Sequence, residues 1–333
     1  MKTSLLTSTM VLVCASVLTL GTAAAQTTTG IAGQSPWGPA DEIGRLNMMT
    51  EASQLAILKR IASGKVYDLS VEYYIGMPSW YLLGDPRYQI WMTHTPQGTV
   101  VDNPVGVSKA VNDKVGYSGD AISMYTHTGT HIDTLNHFGL HGKLWNGFTA
   151  QEHLGDRGWT KAGAERVPPI VARGVLIDVA AAKGVAILPD SYGITPQDLQ
   201  EALAKQGTTL QAGDVVLIRT GRMQVFYGND ANKYLLHSPG ITLAAAKWLI
   251  DDKQTMALGA DNIGLEAIDT STPDNWVPVH TYLEAERGVT IIEVLDLEAL
   301  SRDKVYEFVF IGAPLKLRGA TGAPMRPLAI PMR

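Results

Sequence analysis

Between residues 127 and 137 the chain reads His-Thr-Gly-Thr-His-Ile-Asp-Thr-Leu-Asn-His, placing His127, His131, Asp133 and His137 in one short window. Imidazole and carboxylate are the usual ligands of Zn²⁺ and of harder divalent ions such as Mn²⁺. All four positions are odd-numbered, so in extended chain they share one face. A helix would bring His127 and His131 together but turn Asp133 roughly 120° away from His127. Thr128, Thr130 and Ile132 are β-branched and favour strand. A straight strand rising ~3.3 Å per residue would still hold His127 and His131 ~13 Å apart, too far for one ion. The chain must therefore bend, and Gly129 is where it bends most easily. The expectation is a bent strand or strand–turn that gathers three ligands and a fourth imidazole into one cavity. A lone histidine is more often core or surface than ligand. Three with an aspartate on one face are harder to dismiss, because His and Asp are rarely buried unpaired.

Further ligands must come from elsewhere in the chain, and His280 and Glu293 are the best placed. Glu293 follows Val289-Thr290-Ile291-Ile292, which reads as a buried strand ending in a carboxylate; it is either paired or metal-bound, as buried acids are, or a strand-end acid facing water, and His280 is either a ligand or a loop histidine. Glu284 and Glu286 compete for that role, but their surroundings read as a solvated helix face. Asp261 either lines the same cavity or caps a turn. Trp80, Trp91 and Trp145 flank the window in sequence and are candidate walls of an apolar pocket. There is no Gly-x-Ser-x-Gly elbow, no P-loop and no Gly-x-Gly-x-x-Gly opening a helix, so neither serine catalysis nor a nucleotide cofactor is indicated.

The elements that position these residues follow from the remaining pattern. Residues 1–25 read as a signal peptide, with Lys2, an apolar stretch from Leu5 to Leu20, and Ala23-Ala24-Ala25 before Gln26. That places the protein in the periplasm or outside the cell. Cys14, the only cysteine of the 333 residues, lies within that segment, which excludes disulfides and thiolate ligands from the mature chain. Residues 26–36 read as a flexible arm and 37–333 as one domain. The net charge of −5 without a basic patch argues against nucleic acid and membrane partners and leaves a small-molecule substrate. Helices are expected over Ala52–Ala62, Thr195–Lys205 and Leu243–Asp251. Strands are expected over Val66–Ile75, Val215–Ile218, Ala257–Leu258, Val289–Val294 and Val305–Ile311, and Val175–Val179 is a short apolar run. They mix without a strict βαβ beat, so the fold class is α/β or mixed α+β, in a single domain.

With these residues in view, the chain resembles the cyclase family of metal-dependent hydrolases, which includes bacterial kynurenine formamidase and isatin hydrolase. The resemblance rests on His127 to Asp133 with His137, matching His-x-Gly-Thr-His-x-Asp-x-Pro-x-His. It continues through Gly142 to Gly147, Gly213 to Gly221 and Gly240 to Asp261, and closes with His280 and Glu293. It implies a swivelling β/β/α fold in homodimers or larger oligomers. It also implies one or two divalent ions, Zn²⁺ or Mn²⁺, held by His127, His131, Asp133, His280 and Glu293. In its terms His137 is the catalytic proton donor and acceptor, and Trp80, ahead of Gly84-Asp85, contacts substrate. Two departures stand out: Leu135 replaces the signature proline, and Tyr81-Leu82-Leu83 is inserted after Trp80. The chemistry implied is metal-assisted hydrolysis of a small amide, formamide or cyclic imide. A lactone or ester hydrolase is the second reading, and a non-catalytic periplasmic metal- or small-molecule-binding protein the rival from another class.

Overall fold

The computed structural model describes residues 30–228, 230–268, 271 and 274–333. The segment read as a signal peptide and the first residues of the arm lie outside them. No helix of the described residues is long and apolar enough to cross a membrane.

The main sheet is built, in chain order, from β1 (Tyr67–Asp68), β2 (His131–Asp133), β3 (Ile170–Asp178), β4 (Val215–Arg219), β5 (Ala257–Ala260), β6 (Ile291–Glu293), β7 (Glu307–Gly312), β8 (Gly322–Pro324) and β9 (Leu328–Pro331). Across the sheet they lie in the order β1-β9-β7-β3-β4-β5-β6-β2-β8. The central four, β3 to β6, run parallel, and antiparallel strands flank them on both sides. Such central strands are buried on both faces, which is why they read as continuous apolar runs. In β3, Val175 and Ile177 point into one core layer with Leu199, Ala202, Ala245 and Leu249 from the helices. Ile170, Ala172 and Leu176 point into the opposite layer with Phe308, Phe310 and Met325. The mixed α/β, single-domain expectation holds.

Local signals set the helix bounds. Helix α1 (Glu51–Leu58) starts at Thr50, whose side chain accepts from Ser53 N–H in a capping box. Helix α2 (Pro196–Gln206) has Thr195 as cap, Pro196 at its first turn and Gly207 in the left-handed region beyond its end. Helix α3 (Leu243–Lys247) runs on as a π-helical turn over Trp248–Asp252.

One expectation meets a different outcome. Of the strand expected over Val66–Ile75, only Tyr67–Asp68 joins a ladder. Leu69 and Val71 are still buried in alternation, but their backbone N–H groups go to the Pro327 carbonyl and the Thr130 hydroxyl. Side-chain and loop acceptors replaced the ladder while the side-chain period of two survived. In the arm, Gly33 donates to the Ala285 carbonyl at 2.8 Å and accepts from Asn146 N–H at 3.0 Å.

Candidate metal centre

The window bends where its glycine allows. Residues 127–130 form a turn, Gly129 has φ +63°, and the strand proper begins at His131. A Cβ on Gly129 would lie 2.6 Å from the Tyr73 ring, so both the backbone angle and the space demand glycine. Gly129→Ala is therefore expected to destabilise the fold by about 2–4 kcal/mol and to disturb His127 and His131 together. Denaturant titration measures this; an unchanged midpoint would show that the bend tolerates a side chain.

Strand register brings in the distant acid. β6 pairs with β2 so that Glu293 lies opposite His131 and Ile291 opposite Asp133. Residues 131, 133 and 293 thus share one face of the sheet, while Ile132 enters the core on the other. All are buried: His131 is 0% exposed, Asp133 1% and Glu293 2%.

Hydrogen bonding fixes which imidazole nitrogens face the centre. His131 Nδ1 lies 2.7 Å from the Gly129 carbonyl, which can only accept, so Nδ1 carries the proton and Nε2 presents a lone pair. His280 is held likewise by Glu266, which accepts from Val279 N–H, His280 N–H and His280 Nδ1. The His131 Nε2 lone pair meets Asp133 Oδ1 at 3.2 Å and Glu293 Oε2 at 3.6 Å; that of His280 meets Glu293 Oε1 at 3.3 Å. His131 Nε2 has no hydrogen-bond partner among the described residues. Acceptors buried against acceptors repel unless a cation or a proton lies between them. The donor set therefore fits a divalent ion. His127 completes it, with Nδ1 2.5 Å from Asp133 Oδ1 and Nε2 2.9 Å from Thr321 Oγ1.

Electrostatics records the same crowding. Burial, with the Asp133 charge beside it, pushes the Glu293 carboxyl up to about 7. Burial opposes charging His280, but Glu266 and Glu293 outweigh it and hold its pKa well above the imidazole range, so without a cation a proton on Nε2 takes the place between His280 and Glu293 that an ion would fill. His137 is the exception. Its burial, with His127 close by, holds its pKa well below the usual value, so the ring is neutral at neutral pH.

His137 stacks on His127 with ring centroids 4.0 Å apart. A nitrogen of His137 lies within 4.8 Å of ligand atoms of both His127 and Asp133. The departure at Leu135 does not undo this turn. His137 N–H donates to the Thr134 carbonyl at 2.9 Å, and Leu135 itself is buried against Leu144, Trp145 and Phe148. The next residue, Phe138, donates its N–H to Glu284 Oε2 at 2.8 Å.

Glu284 corrects the sequence reading. Both Glu284 and Glu286 are buried rather than on a solvated face, at 0% and 3% exposure. They lie on the π-helical turn Thr281–Glu286 that continues from His280. That turn is enclosed on all sides, so it has no solvated face, and Glu284 tethers the turn that carries His137. Asp261 does cap a turn, accepting from Thr220 N–H, Thr220 Oγ and Gly221 N–H.

His127, Asp133, His280, Glu293 and His137 line a cavity of about 80 Å³ whose apolar walls include Trp80, Phe138, Ile263, Ile268 and Trp276. Trp80 thus lines this cavity. Trp145 is not, being buried elsewhere with Nε1 donating to Asp41 Oδ2. Trp91 is half-exposed on the two-stranded antiparallel sheet of Gln89–His94 with Gly119–Ser123. Glu266, Phe138 and Trp276 were not singled out from sequence. Glu266 alone carried a signal there, an acid embedded in the apolar stretch Gly264-Leu265-Glu266-Ala267-Ile268.

The family described as "Putative cyclase" matches residues 67–267. A crystal structure described as a novel cyclase superposes with TM-score 0.79 at 31% identity, covering 90% of this chain and 97% of that one. Isatin hydrolase of Roseibium aggregatum is 28% identical over 211 residues, 61% of this chain and 71% of that protein. A predicted metal-dependent hydrolase from Bacillus stearothermophilus superposes with TM-score 0.50 at 25% identity, covering 80% of this chain and 98% of that one.

Proposed function

Because this chain belongs to the cyclase family, we propose that it is a metal-dependent hydrolase of a small amide, a formamide or cyclic amide with an apolar body. The observation that carries this reading is the set of buried acceptors, His131 Nε2, His280 Nε2, Asp133 and Glu293, facing one another beside a neutral His137. The relatives named as hydrolases support it. His127, His131, Asp133, His280 and Glu293 would hold one or two ions. When bound, a divalent ion polarises a carbonyl and makes water acidic near neutral pH.

The chain's own residues then do the following. Trp80, Phe138 and Trp276 pack the substrate's apolar body and exclude bulk water from the carbonyl. His137, neutral and at the edge of the ligand set, accepts a proton from the attacking water and returns it to the leaving nitrogen. Glu284 holds His137 through the Phe138 N–H, and Glu266 holds His280 in the tautomer whose Nε2 faces Glu293.

The test is elemental analysis of the purified protein together with hydrolysis assays on a panel of formamides, cyclic amides and lactones. The expected result is bound Zn²⁺ or Mn²⁺ and turnover of the amides. Glu293→Gln keeps the shape but removes the charge, and should weaken metal affinity at least ~10-fold. A native protein that binds no divalent metal, or a Glu293→Gln protein with native metal affinity, would overturn the assignment.

A further inference from the structure

Beside the cavity that holds the ligands, the structure opens a second one, of about 260 Å³ against about 80 Å³. The two share Trp80, Leu83, Ile263, Ile268 and Trp276 as walls, so they adjoin, and a substrate that spans both would take them as branches of one pocket. The ligand branch alone is too small for a whole substrate. Only together do the branches reach the ~300 Å³ at which small-molecule sites begin.

The second branch has a distinct character. Leu82, Leu235 and Leu236 line it and do not line the ligand branch. Leu82 and Leu83 belong to the single turn over Trp80–Leu83, which ends at Gly84 in the left-handed region. Leu235 closes the short helix Ala231–Leu235. Besides His237 and Glu266, two hydroxyls break this apolar lining, Ser79 Oγ and Ser238 Oγ. Each is shielded from solvent without a hydrogen-bond partner among the described residues, and Ser79 is only 1% exposed. A buried hydroxyl left unpaired is costly, and a ligand atom that pairs with it removes that cost.

We infer that this branch is a specificity subsite for an extended apolar substituent of the substrate, larger than one ring and tipped by a hydrogen-bonding atom. The inference rests on the hydrolase reading for the bond that is cleaved. Leu82 and Leu83 build one wall of the branch.

The test uses the full metal-loaded chain with three formanilides: unsubstituted, para-phenyl, and para-phenyl bearing a distal hydroxymethyl group. Binding of benzoate and biphenyl-4-carboxylate is measured alongside by calorimetry. The para-phenyl probe should show kcat/KM at least ~10-fold above the unsubstituted one, and the biphenyl acid should bind at least ~10-fold tighter than benzoate. Leu235→Trp and Leu236→Trp, which fill the branch, should bring both ratios to within about twofold. Leu236 is half-exposed, so its variant folds even where that of buried Leu235 does not. The hydroxymethyl probe should outperform the plain para-phenyl one, and Ser79→Ala with Ser238→Ala should erase that advantage. Equal binding of the two acids, or a preference that survives filling the branch, would overturn the subsite. No gain from the hydroxymethyl group would overturn its polar end. If no formanilide is cleaved but the biphenyl preference is present and lost in Leu236→Trp, the hydrolase reading fails and the subsite stands.

Discussion

The protein carrying His131→Ala is expected to lose bound metal and at least ~10²-fold in turnover together. His131 occupies the middle of the site, fully buried, with Nε2 between Asp133 and Glu293. Its Nδ1 is already committed to the Gly129 carbonyl, so only Nε2 is available to a cation. Deleting the ring leaves two buried carboxylates facing each other with fewer donors around them. Metal content by elemental analysis after dialysis, read beside the assay, separates the outcomes. Stoichiometric metal in this variant would show that the ion is held elsewhere.

His137→Ala tests catalysis itself, since a protein that only bound metal would need no base there. The expected result is a kcat reduced by ~10²–10⁴-fold, the range for loss of a positioned acid–base group, with metal retained by His127, His131 and Asp133. The pH profile of the native protein adds a second reading. Burial holds the His137 pKa well below the ordinary imidazole value near ~6.5, and a nearby cation would push it further down. The neutral, proton-accepting ring therefore persists as pH falls through ~6.5, and the acid limb of kcat/KM should lie below that value. A limb centred at or above ~6.5, or unchanged turnover in His137→Ala with full metal, would remove His137 as the base. Loss of metal along with activity would make His137 a ligand instead.

The ligand window was legible because its information is local. Residue types, the period of two and one glycine are enough to require a bent strand, and the backbone has few other ways to bring four odd-numbered side chains together. Helix α2 was legible for the same reason, since its cap, its proline and its terminal glycine act within a few residues of one another. Where the sequence reading stopped was at partners distant in the chain. Nothing in Val289–Val294 states that Glu293 will lie opposite His131; that follows from the register of β6 on β2. The buried state of Glu284 depends on layers packed around the turn Thr281–Glu286, and the acid itself looks the same on a solvated helix. The extended run after Asp68 kept its buried alternation but not its ladder, because the acceptors it meets were set by Thr130 and Pro327. Sequence by itself determined the chemistry available, namely imidazoles and carboxylates on one face beside tryptophan. Tertiary structure alone decided which acid joins the centre and how far the apolar pocket extends. Those depend on contacts between segments more than a hundred residues apart, whose free energies no local pattern encodes.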